Sequence, residues 1–442
     1  MFVKKLLIIN DPVFASKLKI FFLNIKRKSK TSSMYIIIIF SSFFVLCYYR
    51  LTSKSELHFL PTPRNKELLA NCGYLSSPSF LPYFFLPSAF FQTLLSSFGV
   101  WSLKKFSSFQ ERVKNAETTL DWVRSDENSN NNNYNINKKV TINGSDKENE
   151  LETLNGNKNN ATQNYNNDII SNSNEINNNL NKHLLIIPGL TGKVTDPYIQ
   201  AICQEAFAKG FKPIVYNNRW LVKPPTFPPK GQTVDFIDDL KKTIDYLSTQ
   251  KRIDNLYCIG ISYGSNLLCN YLGRYPNENR IKAACSVGNP FDFYKNQNRI
   301  GYLANKMLTF VLIKALKDRK QFYYESGFFQ KNDIDSALKS KTYQEFDDYL
   351  TIKMLGFESV KEYYEKISCV HHLHKITTPL LLLQAKDDPI SHKDCIPFDV
   401  CKKNENLFLL LTARGGHIGW VEGVVKTSIY FPKPCLEFMS QF

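Results

Sequence analysis

LYCIGISYGSNLLCNYLG, residues 256–273, is the stretch on which the fold turns. It opens with a short apolar run, Leu256–Ile259, the texture of a strand buried on both faces. From Gly264 to Leu272 the spacing changes to that of a helix. Between the two lie Gly260, Ser262 and Gly264. A chain that passes from strand to helix in so few residues needs small groups on either side of the turn. The strain of such a turn holds the Ser262 hydroxyl clear of the sheet, at the helix N-terminus. A bare G-x-S-x-G is common; a strand before it and a helix after it make it specific.

The same alternation continues on both sides. Leu184–Ile187 is a continuous apolar run ending at Pro188-Gly189, and Asp196–Lys209 reads as a helix opened by an acid and closed by Gly210. Pro213–Tyr216 reads as a strand and Val234–Thr249 as a helix. Ile281–Val287, Leu380–Gln384 and Leu407–Leu411 read as further strands. Doubly buried strands with helices between them predict an α/β fold, a mostly parallel doubly wound sheet over residues 182–442. Residues 291–375 break the alternation with helical, aromatic-rich sequence, so we expect a helical cap there.

A serine hydroxyl is a poor nucleophile without a base, and the base needs an orienting acid. With a strand-borne serine, these follow in the order acid, then histidine. After the Leu380–Gln384 strand comes Ala385-Lys386-Asp387-Asp388-Pro389, which places the acid at Asp388, directly before Pro389, with Asp387 as the alternative. After the Leu407–Leu411 strand comes Gly415-Gly416-His417-Ile418-Gly419-Trp420. Gly416 lets the backbone turn closely and return His417 over the sheet. Of the seven histidines, only His417 has this setting. His371, His372 and His374 lack acidic partners in the sequence, so no metal and no cofactor is expected; His392 reads as a solvated loop residue. A developing oxyanion needs two N–H donors. Tyr263, after the serine, supplies one. Leu190 supplies the other, from a bend that Gly189 permits.

The net charge is +16, but Lys4, Lys5, Lys17, Lys19, Lys26, Arg27, Lys28 and Lys30 crowd the first thirty residues against Asp11 alone. No basic stripe alternates with aromatics elsewhere, so nucleic acid is not the expected partner. The basic segment, residues 1–33, instead precedes Met34–Tyr49, sixteen residues without a charge. As a helix it would span about 24 Å at about 1.5 Å per residue. That approaches a hydrocarbon core of about 27–30 Å, with flanking side chains covering the gap. The positive flank predicts a cytoplasmic N-terminus and a single-pass type II signal anchor. A cleaved signal peptide would have a shorter leader and a small-x-small site, and a buried helix is the remaining alternative. Phe80–Leu103 is a second stretch without a charge, but Pro82 and Pro87 make it a poor span. We read residues 80–125 as an N-terminal arm plus early strands. Residues 126–181 are more than a third asparagine, without apolar periodicity, and read as a disordered insertion. It holds sequons at Asn143 and Asn160. The ten cysteines include no C-x-x-C pair and leave the redox compartment open.

Together these motifs resemble the α/β-hydrolase fold, and within it the AB hydrolase 4 (YheT-like) family. The matching stretches are Gln92-Thr93-Leu94-Leu95, Thr119–Val123, Pro188–Gly192, Asn217-Asn218-Arg219, Gly260–Gly264, Tyr271-Leu272-Gly273, Asp387-Asp388-Pro389 and Gly415–Gly423. That group includes eukaryotic single-pass membrane phospholipases and fungal medium-chain ethyl-ester synthases. The resemblance implies Ser262, Asp388 and His417 as a triad, a lipid-ester substrate and an N-terminal signal anchor. It places Thr119–Val123 on an early strand, which makes the Asn-rich tract an insertion. We therefore expect hydrolysis of phospholipid or acylglycerol esters at an endomembrane such as the endoplasmic reticulum, with no obligate protein partner. The alternatives are acyl transfer to an alcohol, and a non-catalytic lipid-binding scaffold. Three positions depart from the family pattern. Tyr263 and Ser265 replace a small or sulfur-containing residue and a glycine, and Trp220 replaces the glycine after Arg219. Both aromatics fall near the expected pocket, so no acyl-length preference is carried over.

Overall fold

The computed structural model describes residues 55–78, 80, 93, 105–113, 116, 118–125, 181–219, 236–278, 280–422 and 427–442. Met34–Tyr49, Trp220, residues 126–180 and most of Phe80–Leu103 lie outside them. No helix among the described residues is long and apolar enough to cross a membrane.

Among the described residues, nine strands make one sheet: β1 (Glu56–Phe59), β2 (Ser107–Arg112), β3 (Thr119–Arg124), β4 (Lys182–Ile187), β5 (Phe211–Asn217), β6 (Leu256–Ile261), β7 (Ile281–Val287), β8 (Leu380–Ala385) and β9 (Leu407–Thr412). Their order is β1-β9-β8-β7-β6-β4-β5-β3-β2. The run from β5 through β9 pairs in parallel, and β1, β2 and β3 join antiparallel. Every residue of β6, β8 and β9 is buried, which is why they appear as unbroken apolar runs.

The helices are α1 (Pro63–Ala70), α2 (Pro197–Ala208), α3 (Phe236–Thr249), α4 (Tyr263–Arg274), α5 (Tyr302–Lys317), α6 (Lys320–Glu325), α7 (Lys331–Leu338), α8 (Val360–Ile367) and α9 (Pro432–Met439), with shorter turns between. Alternate strand residues feed two cores, as the pleat requires. Leu185, Cys258, Leu382 and Leu409 face Leu240 and Ile244 of α3, Leu268 of α4 and Leu312 of α5. Leu184, Ile259, Leu383 and Leu410 face Ile199 and Ile202 of α2 and Leu436 and Phe438 of α9. Between β7 and β8 the chain leaves the sheet through α5, α6, α7 and α8, which pack on the α3–α4 side.

β1 was not expected. Its four residues are too few for a period to stand out, and it pairs antiparallel on the outer edge of β9, Glu56 opposite Leu411. The turn beyond it is fastened by Asn65, whose buried amide donates to Leu60 O at 3.0 Å and Glu405 O at 2.8 Å. β4 begins two residues before its apolar run, at Lys182 and His183, because ladder bonds do not depend on apolar side chains. The two described residues of the Phe80–Leu103 stretch are both buried: Phe80 lies 5.1 Å from the Tyr430 ring, and Thr93 reaches His417.

Candidate active site

The strand order reverses between β4 and β6. The chain runs from β4 outward to β5, then from β6 outward to β9 on the other side. Loops leaving adjacent strands at such a point diverge and open a crevice at their C-terminal ends. Ile187 pairs with Gly260, so Pro188–Gly192 and Ser262 leave the sheet side by side. A Cβ on Gly189 would stand 3.5 Å from Ser262 Cβ.

Ser262 caps α4 with φ 53° and ψ −117°, a backbone conformation costly for a residue with a side chain. Its N–H donates to Val287 O at 2.8 Å, so the ladder with β7 holds the strained turn. The flanking glycines follow from space. A Cβ on Gly264 would come within 2.2 Å of Ile187 O, and one on Gly260 within 2.6 Å of Gly264 O. Ser265, at a position that departs from the family pattern, is fully buried and donates its hydroxyl to Ser262 O.

Ser262 Oγ lies 2.7 Å from His417 Nε2, and His417 Nδ1 lies 2.9 Å and 3.1 Å from the two Asp388 oxygens. A carboxylate only accepts, so Nδ1 carries the proton and Nε2 turns a lone pair to the serine. Asp388 stands just past the end of β8 and His417 just past the end of β9, neighbouring parallel strands, which explains how residues 29 apart meet. The Asp388 side chain is fully buried, and its Oδ1 accepts the N–H groups of Ile390 and Ser391, both at 2.8 Å. This closed turn around Pro389 fixes the carboxylate. Ser391 is tied in turn to Asn289 O at 2.6 Å.

Tyr263 opens α4, which places its N–H in the first turn, at the helix N-terminus beside Ser262. Leu190 sits half-buried on the bend beside Ser262. The Tyr263 ring is buried edge-on to Phe293 at 6.3 Å and lines a cavity with Leu267, Leu355 and Phe357. His371, His372 and His374 lie on the turns leading into β8, and burial pushes the His372 imidazole down to about 4. His392 is half-buried and lies 3.5 Å from Asp394.

Residues 182–424 match the family described as "alpha/beta hydrolase fold". The chain belongs to the α/β-hydrolase fold family. Among curated relatives, Embryogenesis-associated protein EMB8 of Picea glauca is 31% identical over 249 residues, covering 54% of this chain and 53% of the relative. Phospholipase ABHD3 of Mus musculus is 31% identical over 257 residues, 57% of this chain and 60% of the relative. The monoacylglycerol lipase of Saccharomyces cerevisiae is 33% identical over 247 residues, 54% of each chain. The chain thus spans 53–60% of the length of these relatives.

Two further residues hold this α/β-hydrolase site, Thr93, which was not expected to, and Asp387, in a role other than the one considered for it. Thr93 Oγ1 accepts the His417 N–H at 2.8 Å, and Asp387 Oδ1 accepts the Gly416 N–H at 3.0 Å. The histidine turn is pinned from both sides. Asp387, the alternative to Asp388, belongs to the turn's backbone and not to the imidazole. Thr93 stood within the Gln92–Leu95 motif, but sequence separation gave no sign of its partner.

Proposed function

We propose that this chain hydrolyses carboxylic esters of lipids, with Ser262 as nucleophile, His417 as general base and acid, and Asp388 as the orienting carboxylate. The observation that carries the reading is the unbroken chain of contacts, 2.7 Å from Oγ to Nε2 and 2.9 Å from Nδ1 to Oδ2. His417 Nε2 takes the hydroxyl proton as Oγ attacks the ester carbonyl carbon. The Leu190 and Tyr263 N–H groups receive the charge that builds on the carbonyl oxygen. As the tetrahedral intermediate collapses, His417 gives its proton to the departing alcohol and leaves an acyl group on Ser262. Water, deprotonated by His417, then releases the acid and restores the serine.

A lipid substrate is supported by the relatives named as a phospholipase and a monoacylglycerol lipase. It also accords with the reading of Met34–Tyr49 as a type II signal anchor, which would hold the hydrolase at an endomembrane. The test is labelling by an active-site serine probe, with lipid profiling of cells that carry wild type or Ser262→Ala. Labelling should vanish in the variant and ester turnover should fall by at least about a thousandfold. Equal labelling of both proteins would leave a non-catalytic scaffold. Product partition with an added alcohol separates hydrolysis from acyl transfer.

A further inference from the structure

Helix α5 has two faces with different surroundings. Ala304, Leu312 and Leu316 are buried against the domain. On the other side Tyr302 is 74%, Leu303 59% and Phe310 62% exposed. Single exposed apolar residues are ordinary; three large ones on one helix form a patch. Leu303 and Phe310 lie seven residues apart, two turns along one stripe. The exposed polar positions within the helix are cationic, and the acid Asp318 follows only at its C-cap. Lys306, Lys314 and Lys317 are exposed, and Tyr302–Lys317 contains no acid. The Lys306 ammonium sits 5.6 Å above the Tyr302 ring, a pair suited to the boundary between acyl chains and headgroups. Phe322 of α6 adds an exposed ring after one further turn.

An apolar stripe flanked by lysines matches an anionic lipid surface: acyl chains take the aromatics, and headgroups take the ammonium groups. The buried face points to the candidate site. Leu312, Ala315 and Leu316 line a cavity whose wall includes Thr191, the residue after Leu190. We infer that the outer face of α5 docks on an anionic bilayer, so that one helix faces lipid on one side and the bend beside Ser262 on the other. The ester-hydrolase reading is needed only for what the docked chain does there; docking itself requires no turnover.

The test therefore uses the full-length Ser262→Ala protein. Tyr302→Cys carries a polarity-sensitive fluorophore in a Cys47→Ser background, since the native cysteines among the described residues are all buried and Cys47 lies in Met34–Tyr49. Lys209→Cys is the control, exposed just before β5 and at the opposite end of the sheet from Ser262. With vesicles of phosphatidylcholine and phosphatidylserine, the dye at 302 should shift to the blue and be quenched by spin-labelled lipid, while the dye at 209 stays unchanged. High salt or omission of phosphatidylserine should cut the quenching severalfold, and Leu303→Asp with Phe310→Asp should abolish it. No shift at 302, an equal shift at 209, or equal quenching on neutral vesicles overturns the inference. A shift at 302 present before vesicles are added also overturns it, because the face is then covered by the chain itself or by a second copy.

Discussion

Asp387 and Asp388 are adjacent carboxylates with different surroundings. Asp388 is satisfied by two backbone N–H groups and the imidazole. Asp387 accepts from Gly416 through Oδ1, while its buried Oδ2 has no hydrogen-bond donor among the described residues and lies 3.9 Å from the Arg414 guanidinium. Burial, aided by the neighbouring Asp388 charge, lifts Asp387 from 3.8 to about 6. The folded state therefore binds a proton that the unfolded chain has released between these values. The group's stability contribution is complete below about pH 4 and is lost as pH rises through about 6. Asp387→Asn keeps an acceptor for Gly416 and cannot ionise. Between pH 4 and pH 7 its unfolding free energy should gain on wild type by on the order of 2–3 kcal/mol, measured by denaturant titration at each pH. Asp387→Ala removes the acceptor as well. The turn that carries His417 then loses its Gly416 bond and keeps only the Thr93 bond to its backbone, so ester turnover should drop about tenfold in kcat with KM little changed. A fall confined to KM would show that Asp387 shapes substrate binding instead of the histidine turn.

At the scale of elements, the motif residues outside the site prove to be joints. Asn217 at the end of β5 donates to Asp121 of β3 at 2.9 Å, linking the antiparallel edge to the parallel core. Arg219 grips Asp239 of α3 with two bonds of 2.6 Å, and the Asp239 side chain is 1% exposed. Removing one partner leaves a buried charge, so Arg219→Ala should cost about 3–5 kcal/mol. Arg219→Met combined with Asp239→Leu should recover most of that loss in the same unfolding measurement, and no recovery would mean the pair does more than neutralise itself. Such joints explain what could be read from sequence and what could not. β4 and β6 to β9 were legible because burial on both faces makes apolar runs. Ser262 was legible because Gly260 and Gly264 have no room for a side chain. The partners of Asn217, Arg219 and Thr93 were not, since hydrogen bonds between 20 and 324 residues apart leave no periodic trace. β1 was invisible for a simpler reason: at four residues it is held by its neighbours and not by its own pattern.

At the scale of the whole chain, two stretches concentrate positive charge: the first thirty residues, with eight Lys and Arg against Asp11, and the exposed face of α5, with three lysines. The first is the flank that a type II orientation would keep in the cytoplasm, since translocating Lys and Arg across the bilayer is disfavoured. Everything after Met34–Tyr49 would then lie on the other side, including Asn143 and Asn160 and the domain that carries Ser262. One topology thus ties three observables together. In microsomes, the domain should resist added protease until detergent opens the membrane. Glycosidase should lower the apparent mass, and Asn143→Gln with Asn160→Gln should abolish that shift. Neutralising the lysines and arginine at positions 4–30 should reduce the protected fraction, because the orienting charge is gone. A domain digested without detergent, in a protein that carries no glycan, would place it in the cytoplasm. The lysines of α5 would then face the leaflet richest in anionic lipid, and the docking surface would have to act without the anchor's orientation.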